Sequence, residues 1–183
     1  TYPLGPLTED EKRFYTWTLQ SHIDLAKAVW LDYCECKMID TIAREPLWRH
    51  LINYRCGTGH SVSFVGNVHE GPHSLRGTNS VLMRPGMVVT DEPGVYETDL
   101  VGIRIENELV CVHKADNQYG TFLGFEPIMF VPIATSPIVP GVLTKDELDW
   151  LNNYHRQVFE KLAPRLNDEE REWLAKKCAA IGC

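Results

Sequence analysis

Gly57-Thr58-Gly59-His60, Asn67-Val68-His69-Glu70-Gly71-Pro72, Thr90-Asp91-Glu92-Pro93-Gly94 and Gly102-Ile103-Arg104-Ile105-Glu106-Asn107 follow one another along a single stretch of this chain. Glycines and prolines punctuate short apolar runs there, the pattern of strands joined by turns. Three side chains in it have the donor chemistry of a site for a hard or borderline divalent metal: the imidazole of His60 and the carboxylates of Glu92 and Glu106. His60 follows a glycine turn whose permissive backbone lets a side chain project into a cleft. A histidine in such a turn is otherwise an ordinary core or surface residue. Glu92 closes an apolar strand just before Pro93-Gly94, so it either faces a cleft or stays solvated. Glu106 reads as a half-buried carboxylate in mid-strand, which needs a cation or several donors. That cation is either a metal or Arg104, two residues earlier on the same face.

Upstream, the chain reads as helix. Thr8-Glu9-Asp10-Glu11 is a capping box, with a hydroxyl at the N-cap and a carboxylate three residues on. Tyr15, Leu19, Ile23, Ala26 and Trp30 then recur at helical spacing, which predicts a helix over 9–31. Met38, Ile42, Leu47 and Leu51 predict a second helix that starts, kinks or breaks at Pro46, because an internal proline costs about 3 kcal/mol. Past Asn53 the character changes to strands and turns. Arg84-Pro85-Gly86 turns into a strand at Met87–Thr90, Ile103–Val112 alternates as a second, and Phe122–Val131 is a third, interrupted by Pro127.

Pro137, Pro140 and Gly141 read as a short linker, and Thr144 with Glu147 forms a second capping box behind it. Leu148, Leu151, His155, Val158 and Leu162 make an amphipathic stripe up to Pro164, and a last helix carrying Trp173 and Leu174 begins near Asp168. Helices first and several strands after predict an α+β domain. Its expected organisation is a strand-bearing part at 1–141 and a C-terminal helical extension of the same domain at 142–183.

With 183 residues the chain fits one domain with a real core. Apolar residues at 44% and charged residues at 23% argue against global disorder. A formal charge of −7 without any basic block argues against nucleic acid as a partner. No apolar run reaches the length of a membrane span. Cys34, Cys36, Cys56, Cys111, Cys178 and Cys183 contain no paired metal-binding spacing, and a chain of this size does not need a disulfide framework, so reduced thiols in a cytoplasmic protein are expected.

The series GTGH, NVHEGP, GMVVTDEPG, GIRIENE and GFEPI, closed by LTKDELDWLNNYH, resembles the catalytic domain of aminopeptidase P. These are the Xaa-Pro aminopeptidases, metallopeptidases of the pita-bread (creatinase/aminopeptidase-like) fold, and the last motif is most similar to the eukaryotic cytosolic, three-domain form. The resemblance implies that His60, Glu92 and Glu106 are three of five metal ligands; the separation 106 − 92 = 14 agrees with the eukaryotic pattern. It implies two divalent ions in the complete site, manganese by preference with zinc or cobalt as alternates, sharing a water that becomes the nucleophile. Glu92 would also shuttle protons. His69 would contact the substrate and help to stabilise the tetrahedral intermediate, and Arg104 would hold the Glu92 or Glu106 carboxylate in place. The implied substrates are peptides with proline at the second position, and the implied assembly is a homodimer.

Departures from that pattern carry their own expectations. Cys56 stands where the family often has a histidine, and Ser61 and Ser63 replace glycines. Two metal-ligand aspartates that precede this region in the family have no counterpart here, since Asp10, Asp24 and Asp32 fall in a capping box or helix. The chain is therefore expected to lack the N-terminal strands of the fold, to hold at most one ion, weakly, and to be inactive alone. A catalytically dead pita-bread module that binds peptides or partners is the competing expectation.

Overall fold

The computed structural model describes residues 1–182. Helix α1 (Glu9–Ala26) begins at its capping box: Glu11 accepts from the Thr8 amide at 2.7 Å, and the Thr8 hydroxyl accepts from the Glu11 amide at 3.3 Å. It ends five residues before the limit that periodicity predicts. Strand β1 (Val29–Leu31) follows, with Trp30 opposite Leu123. Trp30 kept the helical spacing, but β-branched and aromatic neighbours with an open sheet edge beside them favour pairing. Helix α2 (Cys36–Trp48) runs only two residues past Pro46. Leu51 lies beyond its end with φ of 59° and is fully exposed, so it is not part of the helical stripe.

Two short strands, β2 (Gly59–His60) and β3 (Ser74–Leu75), pair antiparallel. Strand β4 (Val88–Asp91) sits one residue later than predicted. Strands β5 (Gly94–Glu97) and β6 (Val101–Arg104) form a hairpin ribbon. Strand β7 (Asn107–Asn117) turns back through Gln118-Tyr119 into β8 (Gly120–Pro127). The predicted strands at Ile103–Val112 and Phe122–Val131 are thus redrawn. The first is broken at Ile105–Glu106, where the chain leaves the ribbon for the main sheet, and the last ends at Pro127, which has no amide to donate. The main sheet has the order β1-β8-β7-β4 and is antiparallel throughout. Alternation survives the break, since Ile103, Ile105, Asn107, Leu109 and Cys111 are all buried.

By density of contact the chain forms two units. One comprises Trp17–Met129 and holds all the strands together with α2. Its core includes Leu19, Ile23, Ile39, Leu47, Leu75, Met83, Val89, Leu109 and Leu123, each at most 1% exposed. Burying one such leucine stabilises by about 1.5–3 kcal/mol. The other comprises Thr1–Thr16 and the stretch from Phe130 onward, with α3 (Lys145–Leu162) and α4 (Asp168–Lys177). Tyr154, Val158, Ala163 and Leu174 are its packed centre. Helix α3 carries the predicted Thr144–Glu147 capping box, and α4 carries a further one, Asn167–Glu170, that periodicity did not reveal. Among the described residues Cys34, Cys36, Cys56, Cys111 and Cys178 are free thiols. Among the described residues no helix is long and apolar enough to cross a membrane.

Candidate active site

The ends of β2 and β4 lie against each other because Gly59 has no side chain. A Cβ there would fall 1.7 Å from the Thr90 carbonyl oxygen, a clash no rotamer relieves. This approach lets the Thr58 carbonyl accept from the Glu92 amide at 2.7 Å and the Thr90 hydroxyl accept from the His60 amide at 2.9 Å. The same hydroxyl donates to Glu92 Oε1 at 3.0 Å. Thr90 therefore ties His60 to Glu92, a role that sequence reading missed although it lies two residues from Glu92 on the same strand face.

His60 and Glu92 meet directly, with Nε2 and Oε1 3.2 Å apart. The other ring nitrogen, Nδ1, is 3.1 Å from the Ser61 carbonyl oxygen. A carbonyl can only accept, so Nδ1 carries the proton and donates. That leaves Nε2 as the nitrogen directed at the Glu92 carboxylate oxygen. Two lone pairs facing one region are stable only with a proton or a cation between them, and a histidine anchored through its other nitrogen is the common arrangement of a metal ligand. The donor set thus fits a divalent ion, with one imidazole and hard carboxylate oxygens.

Arg104 covers the far side of Glu92. Its Nη1 donates to Glu92 Oε2 at 2.8 Å and also to the Glu92 carbonyl oxygen, and its Nε donates to the Tyr96 hydroxyl at 3.0 Å. Gly94 makes room for it, because a Cβ there would lie 2.7 Å from Arg104 Nε. Of the two carboxylates that Arg104 was expected to hold, the structure places it on Glu92. Cys56 packs beside it, with Sγ 3.8 Å from Nη2 and 3.7 Å from the Gly94 carbonyl oxygen.

Glu106 sits at the bend between β6 and β7 and is exposed, not half-buried in mid-strand as expected. Glu106 keeps the outward-facing place in the alternation between buried Ile105 and Asn107. Its carboxyl is nonetheless raised above the ordinary value, first by partial desolvation and then by the Glu92 carboxylate, while Arg104 and His60 oppose the rise. Glu106 therefore lies within electrostatic range of all three. His69, in the exposed loop after Ser61, sets its ring edge-on to that of His60 with centroids 4.0 Å apart. At the end of β4, Asp91 is wholly buried with an oxygen 3.0 Å from His22 Nδ1, and burial raises its carboxyl. Neither of those two was singled out from the sequence. Among the described residues no group of three or more His, Cys, Asp or Glu side chains is already disposed as a closed metal cage. His60 and Arg104 both contact Glu92, His69 contacts His60, and Glu106 stands at their edge.

The profile of metallopeptidase family M24 matches residues 1–113, and that of the C-terminal region of peptidase M24 matches residues 121–181. The chain is 40% identical over its whole length to aminopeptidase P1 of Lotus japonicus and 43% identical over 90% of its length to aminopeptidase P2 of Arabidopsis thaliana. It spans only 28% and 24% of those two proteins. In three dimensions it is similar to a Caenorhabditis elegans X-prolyl aminopeptidase, described as a cytosolic enzyme with a di-nuclear active site. The TM-score is 0.88 and identity 35%, over 99% of this chain and 30% of that one.

Proposed function

The chain belongs to metallopeptidase family M24, with the pita-bread fold and aminopeptidase P as its relatives, and from that premise we propose that it is part of a metal-dependent Xaa-Pro aminopeptidase. The observation that carries this is the His60–Glu92 pair, with Nε2 and Oε1 3.2 Å apart and Nδ1 held by the Ser61 carbonyl. In this reading His60, Glu92 and Glu106 hold a divalent ion, manganese by preference. When bound, the ion lowers the pKa of a coordinated water, so that a nucleophile exists at neutral pH.

The side chains divide the remaining work. Glu92 has one oxygen held by Arg104 and the other beside His60 and Thr90. It accepts the proton of the attacking water and passes it to the proline nitrogen as the first peptide bond breaks. Arg104 fixes the direction of that carboxylate. His69, exposed and at the rim, donates to the carbonyl oxygen as negative charge builds there. Substrates are peptides with proline second, and the assembly is a homodimer in the cytoplasm.

The chain spans about three tenths of the Lotus relative's length. Its own donors serve one ion, weakly held, and activity is a property of the longer protein. The test is manganese-dependent release of the first residue from an Xaa-Pro-Pro peptide by a protein that contains this chain within a complete catalytic domain. Activity that falls at least 100-fold in Glu92→Gln is expected, since a general acid/base contributes roughly 10²–10⁴-fold. A complete domain that fails to cleave at any metal concentration would instead favour a peptide-binding module without catalysis.

A further inference from the structure

Helix α2 carries an ion pair that none of the chemistry above uses. Asp40 and Arg44 are 1% and 9% exposed, with Arg44 Nε donating to Asp40 Oδ2 at 2.7 Å. A buried ion pair is by itself weak evidence for a stabilising role. What sets this one apart is the destination of the remaining donors. Nη1 reaches the Tyr54 carbonyl at 2.9 Å and Asn53 Oδ1 at 3.2 Å, and Nη2 reaches the Cys56 carbonyl at 2.9 Å. These three acceptors belong to the one loop that leads into His60. The guanidinium also lies 4.2 Å from the centre of the Tyr54 ring.

Asp40 reaches the same loop from its other oxygen, Oδ1, which accepts from the Thr58 hydroxyl. That hydroxyl has one proton, so the Tyr54 hydroxyl must donate to it in turn. Thr58 is wholly buried, and its carbonyl is the acceptor for the Glu92 amide. The chain of contacts therefore runs from α2 through Thr58 to both sides of the site, to His60 two residues along the loop and to Glu92 across it.

We propose that Arg44 and Asp40 are positioning residues of the His60–Glu92 site, acting through the fork of Arg44 on the 53–56 carbonyls and through the Thr58 hydroxyl. The inference rests on the reading of His60 and Glu92 as the site. A fork is required, because a single ammonium cannot serve Asp40 and several loop oxygens at once.

The experiment compares the full chain with Arg44→Met, Arg44→Lys and Thr58→Val. Thermal melting reports folding, metal-free ¹⁵N spectra report the His60 ring and the Glu92 amide, and a Mn²⁺ titration reports the site. Thr58→Val is expected to stay folded, to shift the His60 and Glu92 signals, and to bind Mn²⁺ roughly 10-fold more weakly, the scale seen when a partner of a metal ligand is removed. Arg44→Lys should behave as Arg44→Met, whereas a requirement for charge alone would be rescued by lysine. Unshifted His60 and Glu92 signals in folded Thr58→Val, or full rescue by Arg44→Lys, would overturn the proposal. If the wild-type chain binds no Mn²⁺, the metal reading fails while the metal-free spectra still decide on positioning.

Discussion

At the scale of single residues, two absent side chains shape the site as much as the donors do. Gly59→Ala would put a Cβ 1.7 Å from the Thr90 carbonyl. Overpacking usually costs about 1–3 kcal/mol, and here the obstacle is backbone on both sides, so the two strand ends must part. A lowered melting temperature is expected, with loss of the shifted His60 imidazole resonances that contact with Glu92 produces; an unchanged melt would show that the strands have room. Cys111 offers a different check. Burial first, then the neighbouring Cys36, pushes its thiol up to about 11. Its folded state thus keeps a proton that the unfolded chain releases near pH 9, so the associated stability is present below that pH and lost as pH rises towards 11. Native Cys111 should resist alkylation at pH 8 and react once the chain is unfolded.

His60, Glu92, Glu106, His69 and Arg104 could be named from the sequence because each sits in one of the motifs that carry the family resemblance, and their roles are part of the proposed function. Thr90, Asp91, Asp40, Arg44 and His22 could not. A hydroxyl or a buried ion pair becomes meaningful only through what the fold lays against it, and nothing in the spacing of Asp40 and Arg44 on α2 points to a loop that starts nine residues after Arg44 at Asn53.

At the scale of elements, local signals were reliable where they had a mechanism and poor where they had only a period. Both predicted capping boxes form, because the hydroxyl and the carboxylate satisfy amides that would otherwise lack partners. Trp30 kept helical spacing and became a strand residue, and Leu51 did the same and became an exposed residue past the end of α2. The break at Glu106 was invisible because burial alternates straight through it. Thr144→Ala removes one half of the α3 box and should cost about 1 kcal/mol in urea unfolding; a loss below a few tenths would mean that the α3 cap is replaced by solvent.

His155, on the same helix, accepts the Ile133 amide at 3.0 Å through Nε2 and is wholly buried. Burial lowers its pKa below the ordinary value of 6.5. The unfolded chain takes up a proton that the folded one refuses, so stability is full above pH 6.5 and falls as the solution is acidified. His155→Gln should flatten that acid limb of the stability curve. A limb of equal slope in the variant would place the effect elsewhere.

At the scale of the whole molecule, composition excluded classes and motif order identified the family, but neither could say how the donors meet. The described residues bring an imidazole and a carboxylate together, with a second carboxylate at the edge and a guanidinium behind. In the proposed reading that arrangement serves one ion, whereas the Caenorhabditis elegans relative is described as having a di-nuclear active site. Counting manganese bound to the purified chain by electron paramagnetic resonance, with and without Glu92→Gln, is the most direct test. One weakly held ion, lost in the variant, is predicted. Two tightly bound ions per chain, or binding that Glu92→Gln leaves untouched, would contradict the assignment of His60, Glu92 and Glu106 as the metal-holding set.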